Sequence, residues 1–235
     1  MLPEGEEKVT AVRAMFDAIA PRYDLVNRIM TFGLDVRWRR RAVRALDAGP
    51  GATVVDLACG TGDLCRDLTS AGYRPVGVDL SLGMLRHART DAPLVEADAL
   101  RLPVADGSVD AAVSGFALRN FVALEPVLDE LARVVRPGGR IALLDVATPA
   151  NPVLRAGHHV YFGSVVPRIG GALSDPAAYR YLPRSVAYLP PPDTMLAMIS
   201  AAGFGAVRRE MLTGGIAQLL VGTRLVTTAA ERSGS

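Results

Sequence analysis

Between residues 52 and 147 the chain alternates short, continuously apolar runs with amphipathic stretches, and that alternation narrows the available folds more than any other feature. The runs occupy residues 53–58, 75–78, 94–97, 111–114 and 140–146, while residues 63–71, 81–89 and 124–135 carry apolar side chains at helical spacing. Strands that are apolar along their whole length are buried on both faces, so they belong to a parallel sheet with helices on either side. The expected architecture is therefore a doubly wound α/β domain. Ahead of it, residues 8–47 repeat apolar positions at three- and four-residue intervals (Val12, Met15, Phe16, Ile19; Leu25, Val26, Ile29, Met30; Val43, Leu46), which predicts two or three short helices ending before Gly49-Pro50-Gly51. Residues 148–192 are irregular and rich in Pro, Gly and Tyr. Beyond them a helix is expected at 193–202 and strands at 206–212 and 216–221, whose short Thr213-Gly214-Gly215 link makes them an antiparallel pair. The expected organisation is an N-terminal helical cap at 1–47 and a main domain at 48–235, with an insertion at about 148–192.

Composition excludes several other classes. A chain of 235 residues with 50% apolar and 21% charged residues is too apolar to remain disordered. Twenty-six basic against 24 acidic residues give a net charge of +2, so bulk electrostatics predicts no nucleic-acid partner. Two cysteines, Cys59 and Cys65, cannot supply a disulfide framework, which makes a reducing cytoplasm the expected compartment. The N-terminus is acidic and polar, unlike a secretory leader. The longest apolar stretches, 139–147 and 214–221, fall short of the ~20 residues that span a bilayer, so any membrane contact is expected from the side.

Chemistry enters where the strands end. Val54-Val55-Asp56-Leu57-Ala58-Cys59-Gly60-Thr61-Gly62-Asp63 runs from an apolar strand through a glycine turn into a helix, an arrangement that lets a ligand approach the backbone and the positive helix N-terminus. Asp79 closes the next strand, 17 residues beyond Gly62, where an acidic side chain can grip ribose hydroxyls. Dinucleotide binding would want a third glycine, and Cys65 stands in its place, which weakens a pyrophosphate grip. An acid before G-x-G and an acid ending the second strand suit a nucleoside with an amino-acid tail, which describes S-adenosylmethionine. Asp98 and Ala99 follow the third strand, where a carboxylate could accept from an adenine amino group, and Ser114 ends the fourth. Ligands in open α/β sheets bind at this carboxyl edge.

Several segments resemble the demethylmenaquinone and ubiquinone-precursor C-methyltransferases. They are Asp17-Ala-Ile-Ala-Pro-Arg-Tyr23-Asp24-Leu-Val-Asn27, Met30-Thr-Phe-Gly33, Trp38-Arg-Arg, Gly115-Phe-Ala-Leu-Arg119-Asn120, Arg133-Val-Val-Arg-Pro137-Gly138-Gly139, Pro167-Arg-Ile-Gly170, Tyr179-Arg-Tyr-Leu182 and Leu212-Thr-Gly-Gly-Ile216. The resemblance covers nearly the whole chain. It implies a class I methyltransferase fold, with donor contacts at Thr61, Asp79, Asp98, Ala99 and Ser114, and carbon–carbon bond formation on a reduced, prenylated aromatic ring. A sulfonium methyl is already activated, so the protein must align a nucleophilic ring carbon with it and exclude water. A ring carbon gains nucleophilicity when its neighbouring hydroxyl ionises, which nominates Arg119 as a stabiliser of phenolate charge or as the group that orients a water. Tyr23 could bond the ring oxygen or cover the donor, and Asp145, His158 or His159 could relay the proton. No metal site is expected. The basic run 37–44 reads as a solvated helix face.

The chain departs from the family pattern at Gln218, where His is usual, and at Arg184 and Ala187, where Glu and Arg are usual. Demethylmenaquinol is the expected acceptor. A secondary-metabolism methyltransferase acting on carbon, oxygen or nitrogen of another aromatic ring is the alternative, and a non-catalytic binder of the donor a second one. The sequence leaves room for peripheral membrane contact and for pairing with a second copy.

Overall fold

The computed structural model describes residues 5–175, 178, 181 and 185–226. Three N-terminal helices, α1 (Gly5–Ile19), α2 (Tyr23–Met30) and α3 (Leu34–Leu46), precede the alternating part. There β1 (Thr53–Leu57), α4 (Asp63–Ser70), β2 (Arg74–Asp79), α5 (Leu82–Arg86), β3 (Leu94–Glu96), β4 (Val109–Gly115), α6 (Leu124–Val134) and β5 (Val135–Val146) follow in turn. Two further helices, α7 (Pro152–Val160) and α8 (Val166–Leu173), flank a π-helical turn at Tyr161–Val165, and α9 (Pro192–Ala201), β6 (Phe204–Leu212) and β7 (Ala217–Arg224) complete the described chain.

Seven strands form one sheet in the order β3-β2-β1-β4-β5-β7-β6. The first five are parallel, and β7 lies antiparallel between β5 and β6. Strand alternation divides the core. Val55, Leu57, Ala112, Ile141, Leu143 and Leu220 pack on one face with side chains of α6 and α9. On the other, Val54, Ala111, Val113, Ala142, Leu144, Leu219 and Val221 pack with α3 and α4. Each valine, leucine or isoleucine among them contributes about 1.5–3 kcal/mol on burial, which holds the parallel strands in register and aligns their carboxyl ends. A smaller cluster joins Ile19, Val26 and Met30 of the N-terminal helices to Met84 and Val166.

Two regions differ from expectation. Residues 148–192 contain α7 and α8 rather than irregular chain: both helices are short, and Pro152, Gly157, Pro167, Gly170 and Gly171 read as breaks, although proline is compatible with the first turn of a helix. Strand β5 begins at Val135, which pairs with Val109 ahead of a register shift, so the Pro137-Gly138-Gly139 turn signal lies inside the strand. Gly139 is required there: a Cβ would lie 2.5 Å from the Asp110 carbonyl.

Candidate active site

Strand order reverses between β1 and its neighbours β2 and β4, and the carboxyl ends of these strands open on a cavity of about 250 Å³. Crevices of this kind are where open α/β sheets bind ligands. The backbone is bent sharply to make it. Both β1 and β4 run into a non-glycine residue with left-handed backbone, Ala58 (φ 57°) and Phe116 (φ 62°), and both residues line the cavity. Such conformations cost of order 1–3 kcal/mol and concentrate at functional sites. Gly62 (φ 81°) starts α4, and a Cβ there would meet Thr90 Cγ2 at 2.6 Å.

Three carboxylates give the cavity its character: Asp56 is buried, Asp79 half-buried and Asp98 exposed. Asp79 accepts the N–H of Gly60 (2.7 Å) and of Ser81 (2.8 Å), tying the glycine turn to the end of β2, and burial raises its pKa. Asp56 is fully buried, and the Cys65 thiol donates to its Oδ2 at 3.3 Å while Oδ1 has no partner. Burial pushes the Asp56 carboxyl up to about 7. Asp98 accepts the N–H of Leu100 at 2.9 Å, which fixes the turn carrying Ala99. Beneath the glycine turn, Gly77 leaves room for both thiols; a Cβ there would lie 2.8 Å from Cys59 Sγ and 3.1 Å from Cys65 Sγ.

The N-terminal helices complete the wall. Val9, Val12 and Phe16 of α1 and Tyr23, Asp24 and Asn27 of α2 all border the cavity. Asp17 latches this cap down by accepting from Ser81 Oγ (2.6 Å) and from the Gly83 N–H (2.8 Å), and Thr61 Oγ1 donates to Asp24. Lys8 is buried, donates to the Phe121 carbonyl at 2.6 Å and stands 3.5 Å over the Tyr188 ring, with burial lowering its pKa to about 8. The latch leaves no space at Gly83, where a Cβ would come within 2.8 Å of the Asp17 Cα. Gly83→Ala is therefore expected to lift α1 from the sheet edge and weaken ligand binding about tenfold or more, a loss typical of broken charge-assisted bonds. Binding calorimetry at a temperature where the variant remains folded checks it; wild-type affinity would contradict the latch.

Of the residues nominated from sequence, Asp56, Gly60, Thr61, Asp79, Asp98, Ala99 and Tyr23 line the one cavity. Gly62, Ser114, Arg119 and Asp145 are not in its wall. Ser114 turns its hydroxyl to the Leu57 carbonyl (2.8 Å), bracing β4 against β1, and Gly115 beside it reaches the cavity instead. Arg119 forms a buried ion pair with Asp145, whose exposure is 0%, and also donates to the Phe116 carbonyl (2.7 Å) and Ser185 Oγ (3.1 Å). The guanidinium thus holds the wall from behind: Phe116 and Asn120 line the cavity, Arg119 fastens the Phe116 carbonyl to Asp145 of β5, and Asn120 Nδ2 donates to that same carbonyl at 3.5 Å. His158 stacks on Phe162 with ring centroids 4.3 Å apart, away from the cavity wall. Burial lowers its pKa, and its Nε2 is buried without a partner.

Within the basic run, Arg39 departs from expectation. It is buried and pairs with Asp35 (2.5 Å), Asp63 (2.9 Å) and Asp67 (3.0 Å), because α4 presents two carboxylates to the face of α3 that carries it. Of the Tyr179-Arg-Tyr-Leu182 segment only Tyr181 is among the described residues, and Arg184 lies outside them. No cluster of His, Cys, Asp or Glu suited to a metal ion occurs among the described residues. Asp17 and Asp24 were not singled out from the sequence, although both lie inside the segment that carries Tyr23.

Residues 3–224 match the model of the ubiE/COQ5 methyltransferase family. A demethylmenaquinone methyltransferase of Thermus thermophilus is 47% identical over 221 residues, spanning 89% of this chain and 100% of that one. A ubiquinone/menaquinone biosynthesis C-methyltransferase of Syntrophotalea carbinolica is 44% identical over 221 residues, spanning 90% and 93%. Among solved structures, the putative methyltransferase bound to the Trm112 methyltransferase activator of Haloferax volcanii superposes with a TM-score of 0.67 at 18% identity, covering 90% of this chain and 98% of that one. That likeness concerns the fold.

Proposed function

Because the chain belongs to the ubiE/COQ5 methyltransferase family, we propose that it transfers a methyl group to a ring carbon of a reduced, prenylated quinol, with demethylmenaquinol as acceptor. It is an S-adenosylmethionine-dependent methyltransferase with a class I, doubly wound α/β fold. The observation that carries the proposal is the convergence of Asp56, Asp79 and Asp98 from three strand ends on one cavity. The residues present fit the donor. A fully buried carboxylate oxygen without a partner, Asp56 Oδ1, calls for a cationic N–H, which the donor's amino-acid end carries. Asp79 suits ribose hydroxyls, Asp98 and Ala99 the adenine edge, and Gly60 and Thr61 the groups between. When bound, the donor supplies an activated methyl group.

The chain's own residues position and shield. Phe16 and Tyr23 meet edge to face at 6.0 Å and roof the cavity, excluding water. Tyr23, Asn27 and Asn120 are the wall groups proposed to bond the ring oxygens and steady phenolate charge. Arg119 and Asp145 are positioning residues, since they reach the cavity through Phe116 and Asn120. Residues 1–47 are proposed to act as the cap, 48–235 as the donor-binding domain, and about 148–192 as its acceptor-side insertion. Among the described residues no helix is long and apolar enough to cross a membrane. The enzyme is proposed to act in the cytoplasm and to meet its lipid acceptor at the membrane surface.

Incubation with demethylmenaquinol and methyl-labelled donor tests the proposal, with label expected on a ring carbon. Methylation of a phenolic metabolite instead would favour the secondary-metabolism alternative, and donor binding without product would indicate a non-catalytic binder. A second expectation concerns pH. To pair with an ammonium, Asp56 must lose the proton it holds up to about pH 7, so donor affinity should rise from about pH 6 to 8 and Asp56→Asn should flatten that rise. Stability moves the other way: an unfolded carboxyl ionises near 4, so through that interval the native chain holds the extra proton and loses stability as pH rises, until about 7. Calorimetric titrations across this range check both slopes.

A further inference from the structure

We propose that α2, α7 and the β6–β7 turn form one face that docks the enzyme on an anionic bilayer, a proposal that rests on the acceptor being a lipid. On α2, Val26 and Met30 point inward while Leu25 and Ile29, four residues apart, are exposed, and Phe32 in the turn that follows is exposed with them. Phe32 is 76% exposed although it sits in a left-handed conformation (φ 51°), an uncommon backbone for a bulky residue. On α7, Val153 is 77% exposed, and Leu154 and Val160 are exposed with it.

These surfaces are contiguous. The Phe32 ring lies 5.6 Å from the Tyr161 ring at the end of α7, and Tyr161 Oη donates to the Met30 carbonyl at 2.8 Å. At the other end, Leu154 Cδ1 comes 3.0 Å from where a Cβ on Gly214 would stand, and Met211, itself exposed, abuts Gly215. Concentrated apolar exposure of this kind marks an interaction surface.

Charge selects the occupant. Residues 146–174 contain no Asp or Glu, and their two arginines, Arg155 and Arg168, are exposed. Arg28, next to Ile29, is already paired with Asp35 (3.8 Å) and Asp63 (3.6 Å), so the two arginines of α7 and α8 carry the charge of this face. Exposed apolar side chains with the arginines of this acid-free segment between them match acyl chains beneath anionic headgroups. A second copy would cover the apolar residues, yet a symmetric pairing through this patch would bring like charges together. The opposite side of α2 lines the cavity through Tyr23, Asp24 and Asn27, so docking there sets the cavity wall beside the lipid phase where a prenyl tail resides.

Sedimentation of the full chain with vesicles of phosphatidylcholine, alone or mixed equally with phosphatidylglycerol, tests the face. Binding is expected to the mixed vesicles, weakened by salt, and about tenfold poorer to phosphatidylcholine alone. The triple variant Phe32→Ser, Val153→Ser, Val160→Ser and the double variant Arg155→Glu, Arg168→Glu should each reduce binding about tenfold or more. Both should keep the wild-type Tm and turnover of an acceptor ring that lacks the prenyl tail. Wild-type protein left in the supernatant, variants that bind as well as wild type, or a dimer that the triple variant dissociates would each overturn the proposal. Turnover of the tailless ring without vesicle binding would remove docking and leave the chemistry standing. Vesicle binding without turnover of any quinol would do the reverse.

Discussion

Arg119→Met is expected to lower the stability of the enzyme by about 3–5 kcal/mol, since it strands a carboxylate of zero exposure, Asp145, without its cation. Urea unfolding reads the loss directly. The double variant Arg119→Met, Asp145→Asn should recover a substantial part of it, because a neutral amide needs no counter-charge. The catalytic consequence is separable. Arg119 fastens Phe116 and Asn120 at the cavity wall rather than touching the cavity, so at temperatures where the variant stays folded kcat should fall much more than donor affinity. A variant of wild-type stability, or equal losses in kcat and donor affinity, would contradict the positioning role.

Asp79→Ala should weaken donor binding about a hundredfold or more. The substitution removes the proposed ribose acceptor and frees the Gly60 and Ser81 N–H groups that its carboxylate holds at 2.7 and 2.8 Å. Hydrogen bonds to a charged group contribute about 1.5–3 kcal/mol each, and with them goes the anchorage of the glycine turn. Asp79→Asn keeps the shape yet offers only one acceptor oxygen, so an intermediate loss is expected. Unchanged affinity by calorimetry would remove the ribose assignment.

The parts of this site that could be read from the sequence are those encoded locally. Asp56, Gly60, Asp79 and Asp98 sit at or just beyond the ends of apolar runs, and a parallel sheet places all such ends along one edge. What escaped depends on partners distant in the chain. Asp145 lies 26 residues from Arg119 on another element, so nothing local shows that the two neutralise each other. Arg39 looks like its basic neighbours until α4 brings Asp63 and Asp67 against it. Ser114 was one residue out of phase: side chains alternate along a strand, so Gly115 reaches the cavity while Ser114 faces Leu57. Helix α7 is only nine residues long and carries Pro152 and Gly157, which locally read as loop signals.

The most direct measurement is a crystal structure of the enzyme with S-adenosylhomocysteine. The nucleoside should lie in the cavity above Gly60, with its ribose at Asp79, its adenine at Asp98 and Ala99, and its amino group toward Asp56. A nucleoside bound elsewhere, with that cavity filled only by solvent, would contradict the assignment of the donor site.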